Sequence, residues 1–346
     1  MAYRLNPGRV KAKAIRRIAR EQVTRAVTAL SQNPVPPAGV HEARKCVKRL
    51  RSLLRLMEPS LRAKDFRARN KALGRLGDQL AGAREAHVMR ETVAKLESHF
   101  GTDAQATLAP LKGMFGGDVE GHAPELAGER AKHIIEAFAK EGRRLDKIDI
   151  KGSGIACVLA GLEKTYRTAR KAFAQAYDKP DDDRFHELRK AVQWHQRHMV
   201  LLSRAWPEYF SVRIAACREL AEDLGDDHDL SVLIDMVERR GGETVDQAAV
   251  AELARNRQAE LRAAAFALTQ RLFAERPAAF TWRMERYWAA PPLLPATSSR
   301  PGAKAAHANP EHVEPGPVER LQAKGARSAP RLAINARKED GSQTPP

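Results

Sequence analysis

One helical segment, residues 40–57, carries most of the side chains in this sequence that could bind phosphate. At about 100° of rotation per residue, one side of the helix collects the apolar residues Ala43, Val47, Leu50, Leu53, Leu54 and Met57. Its other side, the polar arc, holds His41, Arg44, Lys45, Lys48, Arg49, Arg51 and Arg55. Glu42 is the only acidic residue of the segment. Arginine offers forked donors that match phosphate oxygens, lysine supplies a point charge, and histidine gains charge when phosphate approaches.

A basic helix face most often simply faces water. Here, however, like charges lie three and four residues apart, which destabilises a helix by a few tenths of a kcal/mol per pair. After Glu42, no acidic residue up to Met57 offsets that repulsion. Because an external polyanion would remove it, the pattern favours polyanion binding without identifying the polyanion.

The same elements occur twice in the chain. Residues 41–47 (HEARKCV) recur as residues 186–192 (HELRKAV), and residues 80–89 have a second copy at 224–233. Two elements that recur in the same order at nearly the same offset indicate an internal duplication. The second copy keeps three of the polar residues, His186, Arg189 and Lys190, and Arg197 also falls on its polar arc.

The second copy carries less charge than the first. In place of Lys48, Arg49 and Arg51 it has Gln193, Trp194 and Gln196. We therefore expect an asymmetric surface that binds more strongly in the first half. His195 projects to the apolar side of its helix, which is typical of a hydrogen-bonded core histidine.

The elements around these motifs are predicted to be helices. From residue 10 to residue 288, apolar residues recur at spacings of three and four, and no sustained alternation indicates a strand. The simplest architecture is all-α, with two pseudo-symmetric bundles of about four helices each, residues 10–145 and 150–289. Residues 290–346 hold half of the 20 prolines. This Pro/Ala/Gly-rich stretch is predicted to be a disordered tail.

Composition limits the class of protein. The formal net charge is +17 and the sequence pI is about 10.1, which indicates an anionic partner. Cys46, Cys157 and Cys217 are too few and too scattered for a disulfide framework, so we expect reduced thiols in a cytoplasmic protein. Neither a signal peptide nor a membrane-spanning stretch is indicated.

The motifs resemble the CHAD family, the conserved histidine α-helical domain. The resemblance rests on the two histidine motifs and on residues 82–85 and 224–230, and it extends from about Lys11 to Tyr287. It implies two four-helix bundles with a basic groove that binds inorganic polyphosphate, and recruitment to polyphosphate granules. Carried over by motif, the phosphate-contacting residues are His41, Arg44, Lys48, Arg49, Arg51, His186, Arg189 and Lys190. No segment resembles the CYTH domain that accompanies many CHAD domains, so a stand-alone domain is expected.

Two other functions compete with this interpretation. The cluster Asp226, Asp227, His228 and Asp229 could ligate a divalent metal in a phosphohydrolase. Alternatively, Asp226, Asp229 and Glu85 anchor basic residues through ion pairs, which we favour because the histidines lie among cations. Nucleic acid is the second competitor, but aromatic residues for base stacking make up only 5% of the chain. The sequence therefore predicts a binding protein without enzymatic activity, cofactor or metal.

Overall fold

The computed structural model describes residues 3–8, 10–80, 85–116, 126–152, 154–240, 242 and 245–291. In these ranges the secondary structure consists of eleven α-helices and one short 3-10 helix, without a strand. The all-α prediction is confirmed. None of the described helices is long and apolar enough to cross a membrane. The predicted tail, from residue 292 onward, lies outside the described residues.

The helix boundaries follow the turn signals in the sequence. Pro37, Pro207 and Pro277 each occupy the first turn of a helix, where no backbone N–H is required. The helices are α1 (Ala12–Ala29), α2 (Pro37–Met57), α3 (Ala63–Gln79), α4 (Glu85–Phe100), α5 (Thr102–Gly116), α6 (Gly128–Asp146), α7 (Ala156–Asp178), α8 (Asp182–Leu202), α9 (Pro207–Arg240), α10 (Gln247–Leu272) and α11 (Pro277–Ala289).

In the first half, α1, α2, α3 and α6 pack around a shared core. Each helix contributes an apolar stripe at helical spacing, as α6 does with Ile134 and Phe138. Glu141 lies on the same side of α6 and is buried, so it needs a partner. Arg69 on α3 supplies one at 2.9 Å. Burial nevertheless raises the pKa of Glu141. The ion pair joins α3 to α6 across the bundle.

In the second half, α7, α8, α9, the end of α10 and α11 pack around the same continuous core. Tyr166 on α7 is fully buried; its ring stacks on Phe280 of α11 at 4.2 Å, and its hydroxyl donates to the carbonyl of Leu272. At the start of α8, the carboxylate of Asp181 accepts a hydrogen bond from the backbone N–H of Arg184 at 2.7 Å. That cap satisfies one of the donors that the first turn leaves open.

Helices α4 and α5 leave the first bundle and pack on the second half. Their buried residues, among them Met89 and Leu108, form a separate apolar cluster with the end of α9 and the start of α10. Lys95 on α4 also pairs with Asp226 on α9 at 2.7 Å. The sequence interpretation placed residues 10–145 in one bundle. The sequence alone could not show that α4 and α5 pack on the second half, because apolar periodicity does not identify the helix against which an apolar stripe packs.

Helix α2 lies against α7 and α8 in a contact that we call the seam, formed by Ser52, Leu56, Gly161 and His198. Leu56 and Ser52 are both 0% exposed, although they fall on the polar arc of α2. A Cβ atom on Gly161 would come within 1.6 Å of the carbonyl oxygen of Leu56. Only glycine therefore permits this approach of α7 to α2.

Two histidines of α8, His195 and the seam residue His198, are buried. His198 Nε2 lies 3.0 Å from the carbonyl oxygen of Ser52 and donates to it, because a carbonyl only accepts. His195 is buried among aromatic rings and accepts a hydrogen bond from Arg213 at 3.0 Å. The prediction of a core histidine at position 195 is confirmed. Burial lowers the pKa of both rings, that of His198 to about 4, and nearby Arg197 and Arg213 lower them further.

The seam predicts a strong effect of Gly161→Ala. The added methyl group has to push α7 away from α2, which we expect to lower the free energy of unfolding by about 3 kcal/mol. Gly74→Ala in α3 is the matched control, since a Cβ there meets no atom within 4 Å. That change should raise stability by up to about 1 kcal/mol, because alanine favours a helix. Urea unfolding of both variants measures the difference, and equal stabilities would contradict the close approach.

His198 predicts a specific dependence of stability on pH. Its pKa is about 4 in the folded chain against 6.5 for an ordinary histidine, so between these values the unfolded chain binds the proton. The contribution of His198 is complete above pH 6.5 and decreases as the pH falls toward 4, by about 2 kcal/mol between pH 7 and pH 5. His198→Gln retains a donor to Ser52 but does not titrate. Urea unfolding at both pH values should show a smaller loss for this variant; an unchanged loss would refute the assignment.

Candidate functional site

The polar arc of α2 divides into an exposed part and a covered part. His41, Lys45 and Lys48, which we call the exposed arc, lie on the second to fourth turns and are exposed. One and two turns later, the seam covers the same side of the helix at Ser52 and Leu56. The sequence predicts a single basic face along all of α2, whereas only its N-terminal half is open to a ligand.

Two arginines of α2 extend sideways from the exposed arc along α3. Arg44 donates to the carbonyl oxygen of Leu80 at 2.9 Å. Arg51 donates to the side-chain oxygen of Asn70 at 3.2 Å. Both guanidinium groups are partly buried, and the neighbouring helix fixes one side of each. The remaining N–H groups of each planar fork are thereby oriented.

Glu42 lies on the opposite edge of the exposed arc and interacts with three cations. Its carboxylate oxygens are 2.7 Å from Arg25, 3.4 Å from Arg49 and 4.0 Å from Lys45. Arg49 also donates to Gln22 of α1. One carboxylate therefore lies within ion-pair distance of three cations and can neutralise only one of their charges. The sequence interpretation missed Arg25, because no pattern within α1 indicates that it contacts α2.

Arg55 and Arg197 lie at the seam, although the sequence placed both on the open polar face. The guanidinium of Arg55 lies 4.3 Å from the ring centre of Trp194. Burial lowers its pKa. Arg197 donates to the carbonyl oxygen of Gln193 at 2.9 Å, and burial lowers its pKa to about 10. Helix packing covers these residues, and a helical projection of a single segment cannot show that.

In the second copy, basic residues have acidic neighbours. Lys190 forms an ion pair with Glu187, and Arg189 lies 3.9 Å from Asp229. The ring of His186 lies 4.4 Å from that of His228 on α9. Burial, followed by the nearby His228, lowers the pKa of His186 to about 4, so this ring is neutral at pH 7. The surface of the second copy thus carries less positive charge than that of the first, in line with the asymmetry expected from the sequence.

The structure does not bring His41 and His186 together. Helices α2 and α8 run antiparallel, since Ser52 contacts His198 whereas Arg55 contacts Trp194. His41 precedes Ser52 by 11 residues and His186 precedes His198 by 12 residues, so the two histidines lie at opposite ends of the pair. At 1.5 Å per residue, the two motifs lie roughly 30 Å apart. They form two separate patches.

Within each half, the two repeated elements do contact each other. Arg44 reaches Leu80, the first residue of its partner element, and Arg189 packs on Gly225 of the second copy. In each half, therefore, an arginine of the histidine motif contacts the second repeated element. Gly82, Ala83 and Arg84 lie outside the described residues, as does the side chain of Glu85.

The acidic cluster of α9 divides among different neighbours. Asp226 pairs with Lys95, and Asp229 lies near Arg189 and His228. Asp227 is buried and accepts a hydrogen bond from Arg262 at 2.6 Å. Among the described residues, no group of three or more His, Cys, Asp or Glu side chains could hold a metal ion. Of the predicted anchoring pairs, the one from Asp229 to Arg189 is present, whereas Asp226 contacts a lysine outside the two arcs.

Comparison with known proteins gives the family. The model described as CHAD domain matches residues 13–238. No curated protein matches the chain. Among solved structures, PptA from Streptomyces chartreusis is 16% identical with a TM-score of 0.51, and the match covers 77% of this chain and 100% of that chain. The CHAD domain from the plant Ricinus communis is 20% identical with a TM-score of 0.47, over 84% of this chain and 95% of that chain.

The match to PptA concerns the fold alone, which is the all-α arrangement described above. The family assignment rests on the family model, which covers more than half of the sequence and includes both histidine motifs. The resemblance indicated by His41 and His186 is confirmed. The chain belongs to the CHAD domain family.

Proposed function

We propose that this protein binds inorganic polyphosphate through the exposed arc of α2 and its neighbouring arginines, without catalysing a reaction on it. The observation that carries the proposal is the charge around Glu42. This carboxylate is the only acid of α2, and it already interacts with Arg25, Arg49 and Lys45. Lys45 and Lys48 are exposed on the same surface, where a polyanion can contact several cations at once.

Phosphate chemistry fits the residue types at this surface. Exposed lysines supply mobile point charges, and Arg44 and Arg51 supply planar donors that α3 holds in place. A linear phosphate polymer carries a charge on each unit, so one molecule can engage several cations and release counterions from each contact. Association with intracellular polyphosphate granules would follow from this binding.

The proposed contributions differ along the two arcs. His41, Arg44, Lys45, Lys48, Arg49 and Arg51 form the principal patch in the first half. His186, Arg189 and Lys190 form a weaker patch, because uncharged residues replace Lys48, Arg49 and Arg51 there, while Glu187 and Asp229 lie beside its cations. Arg55 and Arg197 support the patches from the seam.

Nucleic acid remains the second candidate partner, and the aromatic residues disfavour it. Among the described residues, Phe66 and Trp194 lie near Arg55; Phe66 is buried, and Arg55 covers the ring of Trp194 at 4.3 Å. That ring is therefore not open for stacking on a base. The exposed Trp206 and Trp282 lie at the start of α9 and on α11, away from α2. Contacts with phosphate alone fit the site better.

Charge removal on the exposed arc tests the proposal. We expect Lys45→Gln together with Lys48→Gln to weaken polyphosphate binding about tenfold at low salt, since two phosphate contacts are lost. The matched control is Lys171→Gln with Arg271→Gln, which removes the same charge from exposed positions on α7 and α10. Fluorescence anisotropy with labelled polyphosphates of graded length, over a range of salt concentrations, gives the affinities.

The control variant should bind within about twofold of the unchanged protein, and affinity should fall steeply with salt. Equal losses in the two double variants would show that net charge, not the α2 site, determines binding. Single-stranded DNA of the same total charge serves as a competitor. If polyphosphate cannot displace it, nucleic acid becomes the better assignment.

The absence of catalysis is tested by the length of the polymer. We expect polyphosphate incubated with the protein and Mg²⁺ or Mn²⁺ to keep its length on a gel. Asp226 and Asp229 support this expectation, because the cations Lys95 and Arg189 lie beside them and would repel a metal ion. A polyphosphate-hydrolysing enzyme in a parallel tube is the positive control. Phosphate release that Asp229→Asn abolishes would establish a hydrolase instead.

A further inference from the structure

Beside the exposed arc, the side of α3 that faces α2 has a strip without α3 side chains, which we call the trough. Their register is set by Arg44 against Leu80, Val47 against Gly77, and Arg51 against Asn70. On the side of α3 that faces this line lie Gly77 and Gly74. A Cβ atom on Gly77 would meet only Val47, at 3.5 Å, and one on Gly74 would meet nothing within 4 Å. No side chain of α3 fills the space at these two positions.

The outer edge of this trough is basic. Arg67, Lys71 and Arg75 are spaced four residues apart on α3 and are exposed. In a helical projection, Arg67 falls about 20° from Gly74, and Lys71 and Arg75 follow at about 60° and 100°. Across the described part of the chain, no carboxylate lies within ion-pair distance of these three residues. Asp78 is the one acidic residue on the same edge.

We infer that this trough is part of the polyanion site, with Arg67, Lys71 and Arg75 of α3 as its second wall. Lys48, Arg44 and Arg51 of α2 form the first wall. Gly74, whose Cβ position meets no atom within 4 Å, lets the polymer approach the helix backbone between the walls. The inference rests on the proposed function and extends its site from one helix face to a channel between two helices.

The internal duplication provides a comparison within the same chain. An offset of 144 residues superimposes the starts of α3 and α9, and it pairs the buried Phe66, Leu73 and Leu76 with the buried Phe210, Cys217 and Leu220. The same offset places Ser211, Ala215 and Glu219 at the positions of Arg67, Lys71 and Arg75. Arg218 and Ala221 replace the two glycines.

The second copy has therefore lost both elements of the trough. Its outer wall is neutral or acidic, and side chains occupy the positions of Gly74 and Gly77. The packing residues remain while the channel residues differ. The trough is thus a property of the first half and not a requirement of the fold.

Two variants test the trough by independent means. Arg67→Gln with Lys71→Gln removes charge from the second wall, and we expect polyphosphate affinity to fall five- to tenfold. Gly74→Leu keeps every charge but fills the channel, and should lower affinity severalfold. Because no atom lies within 4 Å of its Cβ position, Gly74→Leu should unfold at the same urea concentration as the unchanged protein or a higher one. The variant Lys171→Gln with Arg271→Gln is again the charge control.

The outcomes separate this inference from the proposed function. If the unchanged protein binds polyphosphate and the Lys45/Lys48 variant does not, but both trough variants bind normally, the trough is refuted and the function stands. Normal binding by the Gly74→Leu variant alone also refutes the trough, since the polymer then does not lie against α3 at this position and the α3 charges act from a distance. Failure of the unchanged protein to bind polyphosphate refutes the proposed function itself.

Discussion

The contact of α2 with α7 at Gly161 determines which part of the basic helix faces solvent. Because the carbonyl oxygen of Leu56 leaves no space for a Cβ on α7, the two halves of the chain join directly over the C-terminal turns of α2. Ser52 and Leu56 are buried as a result, and Arg55 lies against Trp194. The N-terminal turns, which extend beyond this contact, keep the exposed cations. A packing constraint thus defines the extent of the candidate site.

The duplicated halves have diverged in surface chemistry while retaining their packing. Both keep a histidine and an arginine at the start of the second helix, and both arginines contact the next repeated element. In the first half, one carboxylate serves three cations. In the second, Glu187 and Asp229 lie beside the remaining cations. Both acids have counterparts in the first copy, Glu42 and Glu85, so the asymmetry comes from the smaller number of positive side chains in the second copy.

Local patterns in the sequence were sufficient to predict the helices, the duplication, the polar arc and the buried position of His195. Each of these depends on residues close together in the chain. The burial of Arg55 and Arg197, the contribution of Arg25, and the packing of α4 and α5 on the second half depend on contacts between distant segments. A projection of one helix shows where a side chain points relative to its own axis, but not which helix covers it. The glycines of α3 illustrate the same limit, since the sequence does not show which helix a glycine faces until both helices are placed.

The exposed arc also occupies the N-terminal end of α2, and this position has an electrostatic consequence. The aligned peptide dipoles of a helix place about half a positive charge at its N-terminus. The first turn of α2 contains no acidic residue, so that partial charge adds to the field of the exposed cations. The corresponding end of α8 begins with Asp181, Asp182 and Asp183, whose charges oppose it. Two helices of common origin thus have the same backbone dipole but different net fields, because side-chain carboxylates offset the dipole only at α8.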